Sequence, residues 1–401
     1  MSDVREVRIG VVGTGFLAET RARCWQRVNG AAIVGVASRE PAGARTYADR
    51  HGVPAAFDSA QALFESDHLD AVDLCVPNLA HRPLAEAAAA AGKHVICTKP
   101  LAAYVGQDLP EDARGEAGAQ TRTRMVRIAL DEARAMVEAC ARARVQLCYG
   151  ENWVYAPSVA RAAELLDTAD AALLEMRGWE CHSGSHSEYA KRWQHTGGGA
   201  LLRLGAHPVG AMLHLKRQEG ARRGAAIVPV AVSAEVADLT KVTGASASNT
   251  RVALGWDDVE NWGSVIVHFS DGSRGIAIGS DNALGGMESR LELYGSNCRL
   301  ECNMSPADLV RAYTPDAEVL GDTYLQEKQS TSAGWSTPMP DEDFTSGQLA
   351  MCQAFARAIR ENAPPASDGR LGLDVTRVIY GAYLAAAEGR RVALDELDTV
   401  G

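Results

Sequence analysis

The stretch VRIGVVGTGFLAETR, residues 7–21, decides the fold. Val7, Ile9, Val11 and Val12 form an apolar run short enough for a buried strand, and the run breaks at Gly13-Thr14-Gly15. Phe16-Leu17-Ala18-Glu19 then reads as the first turn of a helix. This is G-x-G-x-x-G/A in the setting it requires, straight after a strand and opening a helix. Gly13 permits a tight turn, and the missing side chain of Gly15 lets a pyrophosphate approach the backbone. Ala18 keeps the helix close to the strand. Free N–H groups and the positive end of the helix dipole would hold the anion. The competing reading is a Gly-rich turn in some other α/β protein.

The alternation continues outward from there. Residues 32–37 (AIVGVA), 71–76 (AVDLCV), 94–97 (HVIC) and 145–149 read as strands. Residues 44–51, 83–91 (closed by Gly92) and 126–144 read as helices. Strands separated by helices of this length predict a parallel sheet covered on both faces, a Rossmann-type dinucleotide-binding domain over residues 1–150. After Gly150 the texture changes. Strand-like segments at 171–180, 226–239, 263–269, 273–279, 290–294 and 299–302 are joined by turns such as Asp271-Gly272. Helical stretches follow at 348–360 and 375–388. Residues 151–401 therefore read as a second α/β domain on a large, mostly antiparallel open sheet. The polar segment 104–124 separates a strand from its helix; as a long insertion at a strand's carboxyl end it is expected near the ligand crevice, as a lid, an oligomer arm or a disordered loop.

With 46% hydrophobic and 23% charged residues, the 401-residue chain has the composition of an ordinary globular protein. A formal charge of -11 argues against a nucleic acid or an anionic membrane as partner. Nine scattered cysteines without a C-x-x-C pair fit a reducing compartment. No apolar stretch reaches the roughly 18 residues of a membrane helix. The first strand begins almost at once, with no room for a signal peptide, so the expected location is cytoplasmic.

Three further stretches make the chain resemble the Gfo/Idh/MocA family of nicotinamide-dependent sugar and polyol oxidoreductases. They are Val76-Pro77-Asn78 with His81, GKHVICTKPLA at 92–102, and GGGALLRLGAH at 197–207. The second is similar to the family's strand-end E-K-P, the third to its G-G-G-x-L-x-D-x-G-x-H, and Tyr155-x-Pro157 to its entry into the second domain. The resemblance implies a small carbohydrate-type substrate and a homodimer or homotetramer formed through the second sheet. It also implies a Lys99 that contacts cofactor and substrate, with a peptide into Pro100 that is often cis.

Lys99 is a candidate catalytic residue because a cation beside the reacting oxygen favours a developing alkoxide. His207 is the other, since an imidazole titrates near neutral pH and accepts a hydroxyl proton. Without the resemblance, these would read as a surface lysine and a core histidine. Pro77, Asn78, His81, Thr98 and Lys99 would line the nicotinamide side of the cofactor. Ser38 and Arg39 end the second strand, where they suit a 2′-phosphate and favour NADP, with Glu40 keeping NAD as the alternative.

The departures from the family pattern carry information too. Arg203 stands where the family has Asp, one helical turn before His207, where a cation would disfavour imidazolium. Thr98 replaces the Glu before the lysine, leaving Lys99 without that neighbouring anion. Arg203 is read as a bidentate clamp for a sugar-acid carboxylate, against an ion pair elsewhere. On the polar loop HSGSHSEYAKRW, His186 and Arg192 are further substrate candidates, with Trp153 and Tyr155 at the domain entry. The His182/His186 spacing resembles a metal pair, but Gly184 and the serines argue against a helix, and no metal is assigned. The function expected is NAD(P)-dependent hydride transfer on a sugar, polyol or sugar-acid hydroxyl. The alternatives are an oxidoisomerase that returns the hydride to its product and a catalytically silent sensor.

Overall fold

The computed structural model describes residues 5–185, 187–245 and 249–399. They divide into two compact units that interleave along the chain. The first comprises Met1–Ala103, Ile128–Tyr155 and Gly347–Thr376, the second Tyr104–Arg127, Ala156–Ser346 and Arg377–Gly401.

In the first unit, strands β1 (Val7–Val12), β2 (Ala31–Ala37), β3 (Ala55–Phe57), β4 (Ala71–Leu74), β5 (His94–Thr98) and β6 (Leu147–Gly150) form an all-parallel sheet. Its order, β3-β2-β1-β4-β5-β6, is that of the doubly wound dinucleotide-binding fold. The runs are apolar without alternation because both faces are covered, and every residue of β4 and β6 is buried. Helices Phe16–Trp25, Pro41–His51 and His81–Ala90 supply part of that cover. The helix Gln348–Glu361, remote in sequence, supplies more: its Met351, Cys352, Phe355 and Ile359 share one core with Val7, Ile9, Trp25 and Ile96. That burial is why 347–376 packs with the first unit, a membership no break in composition announces.

The second unit is built on strands β7 (Leu173–Cys181), β8 (Pro229–Ala237), β9 (Trp262–Phe269), β10 (Arg274–Ser280), β11 (Glu288–Gly295), β12 (Arg299–Ser305) and, near the C-terminus, Val392–Ala393. In the sheet, β12-β11-β7-β10-β9-β8 is followed by that last strand, and only the β7–β10 pair is parallel. The mostly antiparallel expectation holds. One face carries Met176, Gly178 and Glu180 of β7 under the helix Ala206–Arg223, with Pro208 and Met212 directly over Gly178. That helix escapes periodicity analysis because nearly its whole circumference is buried as far as Lys216, leaving no polar stripe. The opposite face presents Trp179, Ile276, Ile278 and Ile266.

The 104–124 segment, expected as an insertion in the first domain, packs with the second unit. Its Tyr104 is fully buried, the Tyr104 amide donates to the Tyr380 hydroxyl (2.6 Å), and Trp193 Nε1 donates to the Tyr104 carbonyl (3.0 Å). The Arg122 guanidinium lies 4.3 Å over the Trp193 ring. These contacts hold the two ends of the segment to the second unit. All nine cysteines are free thiols. Among the described residues no helix is long and apolar enough to cross a membrane.

Candidate functional site

In the first unit the glycine turn lies where the sequence expects it. Gly13 has φ +100°, and a Cβ there would collide with the Cys75 carbonyl, so the tight turn demands glycine. Gly15 has nothing within 4 Å of where a Cβ would stand, and it opens the helix Phe16–Trp25 with no side-chain cap. The first-turn N–H groups therefore face an open space beside the backbone, which is what a bound pyrophosphate needs. Ala18 is fully buried, and its carbonyl accepts from the Tyr47 hydroxyl (2.8 Å). Phe16 is 80% exposed, with Leu17 half-buried beside it. At the end of β2, Ser38 Oγ donates to the Glu40 carbonyl (2.5 Å), while Arg39 is 95% exposed. The hydroxyls of Thr14 and Ser38 both approach Gly43, so the two loops converge.

At the end of β4, Pro77 precedes a 3-10 turn at Asn78–Ala80. His81 is buried, with Nδ1 3.1 Å from the Leu101 carbonyl and Nε2 3.0 Å from the Val76 carbonyl. Burial lowers its pKa against the pull of these carbonyls. His81 thus fastens the loop after β4 to the turn after Lys99 and has no ring nitrogen to spare. The Lys99–Pro100 peptide is cis.

A residue missed in the sequence stands beside Lys99. Parallel pairing sets Thr98 opposite Gly150, so Lys99 and Glu151 leave β5 and β6 at the same level of the carboxyl edge. Glu151 is fully buried, and its Oε1 accepts the Trp153 amide (3.1 Å). Burial pushes its pKa up to about 8, while the Lys99 charge pulls it down. The carboxyl group absent at Thr98 is thus present at 151; the available signal was a Glu directly after a strand end in Gly150-Glu151-Asn152. Trp153 is buried, and the Tyr155 hydroxyl accepts from the Ser367 amide (2.9 Å) while its ring packs edge-on against Phe355. Tyr155 packs against the core of this unit.

In the second unit the helical turn assumed between Arg203 and His207 is broken. The helix Ala200–Arg203 ends at Leu204, and a new one starts at Ala206. Arg203 consequently points at buried Asp281, with which it forms an ion pair, and lies 5.3 Å from the Trp256 ring. The ion-pair reading of Arg203 describes what the side chain does here. His207 Nε2 instead lies 3.8 Å from Glu180 Oε1, an ion-pair distance rather than a hydrogen bond. Glu180 occupies an inward-facing position of β7, a polar residue in an apolar register that could have flagged it. His182 Nδ1 accepts the Gly184 amide (2.8 Å) and lies 3.4 Å from Asp281 Oδ1. Arg192 is half-exposed, 3.4 Å from Asp257. His186 lies outside the described residues.

Two of the glycines before His207 make room for neighbouring side chains and backbone of the same unit. A Cβ on Gly198 would strike the Tyr383 hydroxyl, and one on Gly199 the Glu260 carbonyl. Glu260 is buried and accepts from the amides of Gly199 and Leu201 (both 3.0 Å) and from the Tyr383 hydroxyl (2.8 Å). The triple glycine lets this carboxylate close over the helix start.

Comparison with known proteins agrees with this architecture. Residues 7–114 match the oxidoreductase family with an NAD-binding Rossmann fold, and residues 169–301 match the GFO/IDH/MocA C-terminal domain, together more than half of the chain. A D-apiose dehydrogenase of Paraburkholderia graminis is 29% identical over 156 residues, which is 39% of this chain but only 35% of that protein. Inositol 2-dehydrogenase of Rhizobium meliloti is 24% identical over 97% of this chain and 99% of that protein. The crystal structure of GenD2 from gentamicin A biosynthesis, in complex with NAD, has a TM-score of 0.77 at 23% identity, covering 98% of this chain and 97% of that one. With both domain types matched in order and the doubly wound sheet in place, the chain belongs to the Gfo/Idh/MocA oxidoreductase family.

Proposed function

We propose that the protein catalyses NAD(P)-dependent hydride transfer at a hydroxyl-bearing carbon of a sugar or polyol. The observation that carries the reading is the uncapped helix start at Gly15, open on the side where a pyrophosphate would bind, at the sheet edge that also bears Lys99. Gly13, Thr14, Gly15 and the first helical turn would hold the pyrophosphate, and Ser38 with Arg39 the adenosine end. Bound there, the nicotinamide supplies the hydride acceptor. Lys99 provides the cation for the developing alkoxide, and His207 takes the hydroxyl proton, with Glu180 favouring the imidazolium that results. Arg203, neutralised by Asp281, supports a neutral substrate over a sugar acid. The exposure of Arg39 leaves it available to a 2′-phosphate and supports NADP. The apolar patch on the open sheet face supports a homodimer or homotetramer, which light scattering tests.

The test is reduced-nicotinamide absorbance with inositols, pentoses and aldonates, using NAD and NADP in turn. Neutral polyols or sugars should turn over, Lys99→Ala and His207→Ala should lose about a hundredfold or more in kcat, and Glu180→Gln should lower kcat while cofactor Kd stays unchanged. Preference for aldonates would overturn the substrate assignment. An NAD preference that survives Arg39→Ala would overturn the cofactor assignment.

A further inference from the structure

Glu151 has no part in the sequence argument, and the fold brings it to Lys99 by register alone. The two residues follow paired strand ends, one residue beyond Thr98 and Gly150. The neighbouring Thr98 offers only a hydroxyl, 3.5 Å from the Lys99 carbonyl. Glu151 is held from its own loop: its amide donates to the Tyr149 carbonyl (2.7 Å), and its Oε1 accepts from Trp153 (3.1 Å). A buried carboxyl costs stability unless a positive group or donors compensate it. Within this unit the ionisable groups around it are Lys99, Tyr149 on its own strand, and Arg21 beside Gly150, the last already paired with Asp73 (3.4 Å).

We propose that Glu151 is the positioning residue for Lys99, a buried carboxyl that fixes the ammonium at the carboxyl edge of the sheet and sets its charge. The proposal deepens the dehydrogenase reading and rests on it for its catalytic meaning, but not for the pairing itself. Burial pushes Glu151 up to about 8, so its charge changes close to neutrality. Once ionised, the carboxylate stabilises the Lys99 ammonium over the alkaline range in which a lysine would otherwise lose its proton.

Glu151→Gln is the informative variant, because the amide oxygen still accepts the Trp153 N–H. With lysines carrying ¹³C-methyl groups, NMR titration of Lys99 should show its midpoint falling by about 1–3 pH units in the variant. The kcat/KM of the variant should fall about tenfold near pH 9 and little near pH 6, with NADP Kd unchanged and Glu151→Asp restoring part of the loss. An unmoved Lys99 midpoint in a folded Glu151→Gln protein would overturn the pairing. A loss uniform across pH would also overturn it, since that is the signature of a merely structural residue. If the wild type turns over no sugar or polyol, the dehydrogenase reading fails while the titration still decides the pair.

Discussion

Gly13 and Gly15 are two residues apart and answer to different constraints. At Gly13 both the left-handed backbone and the Cys75 carbonyl forbid a side chain, so Gly13→Ala should lower stability by about 1–3 kcal/mol or more, read as a fall in Tm. At Gly15 the protein leaves space, so Gly15→Ala should melt like the wild type yet bind NAD(H) at least about tenfold more weakly by fluorescence titration, because a methyl group there occupies the pyrophosphate's approach. Equal melting with equal binding would remove the argument for a phosphate site. Glu151 makes a second prediction at this scale. Its folded pKa of about 8 lies above the ordinary carboxyl value, so the folded state holds the proton more tightly. Its contribution to stability is thus fully present below the ordinary carboxyl range and is lost as pH rises through about 8. Urea unfolding at pH 5 and 8.5 should show that decline in the wild type and a smaller one in Glu151→Gln.

Among elements, the helix Phe16–Trp25 is tied to β4 by charge as well as by packing. Arg21 and Asp73 are both buried, 3.4 Å apart, and Trp25 Nε1 donates to the same Asp73 oxygen (2.9 Å). Arg21 also donates to Gln348 Oε1 (2.9 Å), which joins the helix Gln348–Glu361 to the network. Asp73→Asn leaves the guanidinium uncompensated in a dry site and should cost about 3–5 kcal/mol in chemical denaturation. A cost under about 1 kcal/mol would mean that water reaches Arg21. The short helix Ala200–Arg203 shows how far an element's boundary matters. Had it continued, Arg203 and His207 would have stacked on one face; the break at Leu204-Gly205 sends one to Asp281 and the other to Glu180.

For the whole molecule, the notable feature is how remote stretches are knitted into one unit. The Tyr380 hydroxyl accepts from the Tyr104 amide (2.6 Å) and donates to the Gly197 carbonyl (2.8 Å), joining three parts of the chain in the second unit. Tyr380→Phe strands a buried amide and a buried carbonyl. It should cost about 2–4 kcal/mol, and hydrogen exchange should show faster opening of the 104–127 segment. Unchanged exchange there would mean that Trp193 and Arg122 alone hold it.

The sequence by itself determined the parallel first sheet, the mostly antiparallel second one and the glycine turn, while Lys99 and His207 became candidates only through the family resemblance. It could do so because apolar runs, glycine spacing and strand ends are local patterns, visible within a few residues. It left the packing role of the glycines before His207 unread, because their neighbours, Glu260 and Tyr383, come from more than 50 residues away. Only the tertiary structure decided which carboxylates answer the cations: Glu151 beside Lys99, Asp281 with Arg203, Glu180 near His207. Charge pairing in a folded chain follows strand register and helix breaks, not distance along the sequence, so a carboxylate absent from one position returns from a neighbouring strand.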